Sequence, residues 1–393
     1  EGVLLWNRGE PAGQWWTVDR GAVPAVQLRA GWGRALVRAT ARGAVRVALA
    51  GHLHSPAVYD VAESEQGKVP ATLSYTYRRT DLARVSQLFG SHGVAGTGTS
   101  ARFPAAAAGI TAGQPFALGS RRVDWVNTDT SWVELVETGR VPPTEGAEED
   151  GAVGVWIERP TAYAARRSYR KRWLQQMTRP AEPRNATAAF PARAGDAVTG
   201  YVSAWTDRSG RASVPSAPDR YRLSLSADGA EIFTSTEPAI DVVLPAEPRT
   251  YVLALRASKR AGAWRRSTRT HTRWTFTSGH VSGAARRLPL LSVNAALPLA
   301  VDNTTRAGTL RFELAVRRPG HSPARVDRAS VEVSFDSGRT WRRATVRRVG
   351  PARFSVAVAH GDHRGPVALR VTAADRLARA AIEQTVLSAY VVR

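Results

Sequence analysis

The chain has 393 residues, no cysteine and a formal charge of +22. At roughly 150 residues per domain this length implies about two to four domains, and the missing cysteine removes disulfides, thiolate catalysis and cysteine-ligated zinc. No apolar run of about 18 residues occurs, so no segment reads as a membrane-spanning helix. The charge raises a nucleic-acid reading. Yet the only lysines are Lys68, Lys171 and Lys259, and the arginines that supply the rest are spread along the chain rather than gathered in one stripe, so nucleic acid is not the expected partner.

In chain order, 1–55 reads as a small α/β unit. Apolar runs at 3–6 and 23–28 are strands, 33–42 (GRALVRATAR) is a short helix closed by Gly43, and 45–50 alternates as a strand. The chain starts at Glu1 with a core-like strand almost at once, so it is expected to begin inside a longer product. In 56–158 turn residues recur between short aromatic and β-branched runs (75–77, 123–126, 132–135), which predicts a β-rich module, with 139–152 an exposed Pro-, Gly- and acid-rich loop.

A third unit, 159–283, reads as a β-sandwich module. Tyr221, Leu223 and Leu225 face one side of a strand that turns at Asp228-Gly229, and Trp274 and Phe276 face inward while Arg273 and Thr275 face out. The last unit, 284–393, carries strand candidates at 310–316, 329–335, 354–358, 367–371 and 384–390, which predicts an immunoglobulin- or fibronectin type III-like sandwich. The expected class is therefore mainly β: a small α/β segment followed by two or three β-sandwich modules.

Several motifs carry chemistry or mimic it. Ser334, Asp336, Gly338, Thr340 and Trp341 fit the Asp-box pattern SxDxGxTW. In it the carboxylate accepts backbone N–H groups across a turn, glycine supplies a positive φ, and the tryptophan packs beneath the hairpin. One copy reads as a structural turn, because an Asp-box glycosidase would repeat the box and pair carboxylates in a pocket. Arg166, Arg167, Arg170, Lys171 and Arg172, interleaved with Tyr169 and Trp173, form the densest basic run and the candidate contact for an anionic polymer. The bland reading is a solvated strand face over buried Tyr169 and Trp173.

His52 and His54 share one side of an extended segment near Asp60 and Glu63, but no third ligand with metal-site spacing follows, so no metal and no cofactor is expected. Gly361-Asp362, between His360 and His363, reads as a hairpin turn. Asn185 and Asn303 open N-x-T triplets, and most of the twelve tryptophans alternate with polar residues as core positions do. Trp15-Trp16 cannot both face one core if extended, so one of them marks a contact surface.

Residues 91–109 (SHGVAGTGTSARFPAAAAG) resemble two catalytic signatures of subtilisin-like serine peptidases run together, with His92 as base and Ser100 as nucleophile. The eight-residue spacing and the lack of an upstream aspartate in suitable context argue against a triad. The stretch is expected to be a loop or edge connection, with Ser100 bonded locally and His92 near solvent. A broader resemblance is ordered along the chain. The segments 23–51, 55–61, 270–280 and 288–308, with VEVSFDSGRTW, VALRVTAAD and EQTVLSAYVV, resemble the C-terminal accessory region of large secreted actinobacterial subtilisin-like peptidases, 23–51 being similar to the end of a protease-associated domain. The resemblance implies a secreted, non-catalytic region with no catalytic residue of its own. It would act beside an upstream catalytic domain of the same polypeptide, position substrate, stabilise the enzyme, or bind an extracellular protein or polysaccharide. The alternative is a stand-alone extracellular binding protein for an acidic or cell-wall polymer.

Overall fold

A computed structural model describes residues 4–5, 16–20, 23–28, 47–51, 58–65, 77–105, 113–141, 151–184, 189–214, 219–260 and 263–393. The helix expected over 33–42, His52, His54, Trp15, Asn185 and most of the loop at 139–152 lie outside the described residues. Within them the protein is mainly β, with two short 3-10 turns and no α-helix.

The first sheet runs, in spatial order, Leu4–Leu5, Val47–Gly51, Val58–Glu65, Arg121–Val126, Ala83–Phe89, Ser168–Trp173, and mixes parallel with antiparallel pairs. The second is antiparallel: Ser213–Val214, Gly151–Ile157, Ser131–Val141, Thr97–Pro104, Gln114–Ala117. Among the described residues, pairing thus crosses residue 158 three times, through Ser168–Trp173, Ser213–Val214 and Thr161–Ala162, which pairs with Ser131–Val141.

The 91–109 stretch differs from expectation. Its second half is neither a loop nor an edge: Thr97–Pro104 is an interior strand between Ser131–Val141 and Gln114–Ala117. Small residues are needed there because of close packing. A Cβ at Gly98 would lie 2.4 Å from the Phe116 ring and 2.5 Å from the Glu137 carbonyl oxygen.

A long sheet dominates the rest of the molecule. Its path is Ala230–Ser235, Arg220–Ala227, Arg249–Ser258, Arg269–Ser278, Ala380–Val392, Gly365–Asp375, Ala329–Ser334, Arg342–Arg343. Strand Arg269–Ser278 pairs with Ala380–Val392, so the sheet is continuous across residues 283 and 284. The Asp228-Gly229 hairpin forms as expected, with φ of 50° and 83° at its two turn residues.

Two four-stranded sheets supply further core residues. One contains Ala239–Val243, Ala197–Tyr201, Ala192–Gly195 and Val281–Arg287; the other Ser292–Ala295, Thr309–Arg317, Arg353–Ala359 and Thr345–Gly350. Their buried Val198, Ile240, Phe312, Leu314, Phe354 and Val356 join Leu223, Leu253, Trp274, Phe276, Val331 and Val371 of the long sheet in one core. Period-2 alternation then sends Arg222, Arg256 and Arg273 to the opposite, solvent-facing side.

Gly361-Asp362 is a turn but not a hairpin. The strand before it, Arg353–Ala359, pairs within the small C-terminal sheet, and the strand after it, Gly365–Asp375, pairs within the long one. Each strand already has two neighbours, so the turn carries the chain between sheets. His360 is buried beside it, with Nε2 2.8 Å from the Tyr390 hydroxyl.

Candidate functional site

The outer face of the long sheet carries an arginine-lined groove. Arg222 lies directly opposite Arg256, Arg256 opposite His271, and His271 opposite Thr385. One row along, Arg220 opposes Ser258, Ser258 opposes Arg269, and Arg269 opposes Leu387. These two rows line a cavity of about 440 Å³. A neighbouring cavity of about 380 Å³ shares Arg222, Arg256 and His271 and extends to Ser224, Ala254 and Arg273. A third, of about 620 Å³, shares Arg220, Ser258 and Arg269 and reaches Arg260. Together they form one groove along the strands. From Val252 to Arg260 it is about 25 Å long at 3.3 Å per residue.

Like charges placed opposite one another in a sheet destabilise it by up to about 1 kcal/mol per pair. Glu231 offsets this at Arg222, with oxygens 3.0 and 3.1 Å from Nη2. No carboxylate among the described residues pairs with Arg220, Arg256 or Arg269. Burial lowers the pKa of His271, Arg256 and Arg273 lower it further, and Glu383 only partly opposes them. The groove therefore keeps unneutralised positive charge at Arg220, Arg256 and Arg269, while Glu231 offsets Arg222 and Glu383 lies opposite Arg273.

Its end is anchored from below. Asp219 Oδ2 accepts from Tyr221 (2.6 Å), Lys259 (2.8 Å) and Trp205 (2.9 Å). Burial depresses the Lys259 ammonium to about 8, with Asp219 holding it up against that pull. The Asp-box forms the adjoining wall. Ser337 lines the end cavity, and a Cβ on Gly338 would stand 3.3 Å from the Leu387 side chain of the groove.

The box itself matches expectation. Asp336 accepts the backbone N–H of Arg339 and Thr340 and the hydroxyls of Thr340 and Ser334, and Ser334 Oγ accepts the Gly338 N–H at 2.8 Å. Gly338 has φ of 90°, and Trp341 Nε1 donates to its carbonyl. The Thr340 hydroxyl, then the backbone bonds, hold the Asp336 carboxyl well below the usual range. Asp336→Ala is expected to lower the melting temperature by a few degrees while strand content is retained. Asp336→Asn, which keeps one acceptor, is expected to lower it less. Thermal unfolding followed by circular dichroism checks both.

Two interiors went unforeseen. The first is an ionic layer between the first and second sheets. The buried Arg102 guanidinium meets Asp60, Asp124 (3.1 Å) and Glu134 (2.9 Å). Lys171 bridges Glu134 (2.9 Å) and Glu158, Arg211 meets Glu158 (2.9 Å), and Arg122 meets Asp124 (2.7 Å). Gln87 donates to Asp124 and Glu134 and accepts from Trp173 Nε1. Four cations so face four carboxylates. Burial would raise the Glu134 carboxyl, but Arg102 and then Lys171 outweigh it and hold it at about 2.

This layer divides the basic run at 166–173. Arg166, Arg167 and Arg170 are exposed and Arg172 is half-buried. Lys171 instead shares the inward side of its strand with Tyr169 and Trp173, because same-face residues recur every two positions. Its ammonium is engaged inside the protein and does not belong to the exposed set.

The second interior holds His92, which is 1 % exposed rather than near solvent. Its ring stacks on Trp264 at 3.7 Å between centroids, which drives its burial. Gln176 Oε1 accepts from Thr178 N and Ser267 Oγ, so Gln176 Nε2 donates to His92 Nδ1 at 2.9 Å. Burial, then Lys259 and Arg266, keeps the imidazole neutral. Ser100 Oγ accepts from Arg122 Nη2 at 2.7 Å, a partner 22 residues away rather than a local one. Neither residue bonds to the other. Asn303, the second N-x-T asparagine, is also buried, with its amide donating to the Ser91 and Leu174 carbonyls.

Ser100→Ala is expected to leave a serine-directed fluorophosphonate and a casein assay without any change, since the wild-type serine is 3 % exposed and lacks a base. Labelling of Ser100 in the wild-type chain is the result that would overturn this. No known protein family matches this chain, and no curated protein matches it.

Proposed function

We propose that the chain is a non-catalytic extracellular binding region that holds an acidic polymer along the arginine groove. The observation that carries this reading is the placement of Arg222 directly opposite Arg256, with unpaired Arg220 and Arg269 one row away, around a 440 Å³ cavity. A sheet that served only to cover its core would gain by putting opposite charges or hydroxyls there. Arginine forks matched to anionic oxygens recover that cost on binding.

The resemblance to accessory regions of secreted subtilisin-like peptidases gives this role a setting. In it the groove would hold polymer-associated substrate for an upstream catalytic domain of the same polypeptide. The reading is supported by the order of the similar segments and by the internal structural uses of His92 and Ser100. Reading the open frame upstream of the Glu1 codon tests it: Asp, His and Ser signatures support the setting, and a start codon with a signal peptide favours a stand-alone binder.

Binding itself is tested on an immobilised acidic polymer. The wild-type chain is expected to elute at clearly higher salt than the variant R222A/R256A/R269A. Co-elution of the two would remove the groove from the account.

A further inference from the structure

We infer that the groove takes a linear polyol phosphodiester, with three-carbon bridges between phosphates and no bases, one phosphate per cross-strand row. This rests on the groove being the polymer site.

The first support is the repeat. Arginines line the groove in successive same-face rows: Arg220 with Arg269, then Arg222 with Arg256 beside the His271 imidazole, then Arg273, which faces Glu383 on the next strand. Neighbouring rows are two residues apart, about 7 Å along an extended strand. Two residues of polypeptide span six backbone bonds. A phosphodiester with a three-carbon bridge also has six backbone bonds from one phosphorus to the next, so its extended repeat is likewise about 7 Å. Each phosphate then meets one row without change of register. A glycan charged once per disaccharide has more bonds between charges and skips rows.

The second support is the donor chemistry. Arg256 and Arg269 each offer a planar fork suited to two phosphate oxygens, bidentate pairs of this kind being among the stronger charge-assisted bonds, while Arg222 shares its Nη2 with Glu231. The third is the floor. Ser224, Ala254, Ser258 and Thr385 are small or hydroxylic and suit phosphate oxygens and polyol hydroxyls. Proteins that hold single-stranded nucleic acid add aromatic faces on which bases stack. Here Tyr221 is half-buried with its hydroxyl committed to Asp219, and Trp264 is 3 % exposed beneath His92. The groove has the charges of a phosphodiester site without the stacking platforms.

The test measures binding of the whole chain to glycerol-phosphate oligomers of increasing length by calorimetry. Oligothymidylate, a sulfated polysaccharide and a polyuronate are compared at equal charge and ionic strength. The expected result is a glycerol-phosphate affinity about tenfold above the others, rising with each repeat until about three phosphates fill the rows and then levelling. Equal or tighter binding of oligothymidylate or of either polysaccharide overturns this inference and leaves the polymer groove standing. Failure to bind any of the four, or equal binding by R222A/R256A/R269A, overturns the groove reading as well. Melting curves of the variant establish that it is folded.

Discussion

Arg102→Met is expected to destabilise the protein by about 3–5 kcal/mol, the largest effect of any single substitution proposed for this chain. Arg102 is buried, and its guanidinium is shared by Asp60, Asp124 and Glu134. Methionine fills much of the same volume but leaves three carboxylates facing one another with one cation fewer. Removing one member of a buried ionic set costs more than the set contributes, because the remaining charges stay desolvated. Chemical denaturation of Arg102→Met against wild type measures the loss. A variant as stable as wild type would mean that the ionic layer does not join the two sheets.

The same layer predicts acid sensitivity. The Glu134 carboxyl is held at about 2, below its unfolded value of about 4.3. Its contribution is therefore complete above about pH 4.3 and is lost as the pH falls toward 2. Denaturation midpoints of the wild-type chain should fall through that window, and Glu134→Gln should flatten the fall.

R222A/R256A/R269A is expected to weaken polymer binding by about 100-fold near physiological salt, at about 1 kcal/mol per arginine brought against an anionic surface. The specificity of that loss matters, since a chain of net charge +22 attracts any polyanion weakly. R166A/R167A/R170A removes the same number of charges from the exposed edge of the first sheet and is the matched control. It should cost less than about tenfold. If the two variants lose equally, net charge rather than the groove governs binding. If the control loses more, the run at 166–172 is the contact and the groove is not.

The fold was legible where a strand alternates cleanly. Leu223 and Leu225, Trp274 and Phe276, and the five strands expected after residue 284 lie where their patterns put them, because one apolar face against one polar face specifies register. Gly338 and the Asp228-Gly229 turn were legible because only certain residues tolerate a positive φ cheaply.

The rest depended on contacts that sequence spacing does not encode. Gln87 between Val85 and Phe89, Asp124 before Val126, and Glu134 between Trp132 and Val136 each sit at an inward position among apolar neighbours. That recurring polar break was the signal of an ionic layer, but only the packing of two sheets reveals the partners. His92 read as a surface residue because its segment is rich in glycine; the stack on Trp264, 172 residues later, is invisible locally. The groove was hidden for the same reason. Arg222, Arg256 and Arg269 are far apart in sequence and adjacent only through strand register, whereas Arg166 to Arg172 are contiguous and drew the polymer reading to themselves.

The most direct measurement is the salt dependence of binding to a soluble acidic polymer for wild type, R222A/R256A/R269A and R166A/R167A/R170A. A groove whose arginines each displace a counterion predicts a log–log slope shallower by about two in the groove variant and little changed in the control. Parallel slopes for wild type and the groove variant would contradict the account.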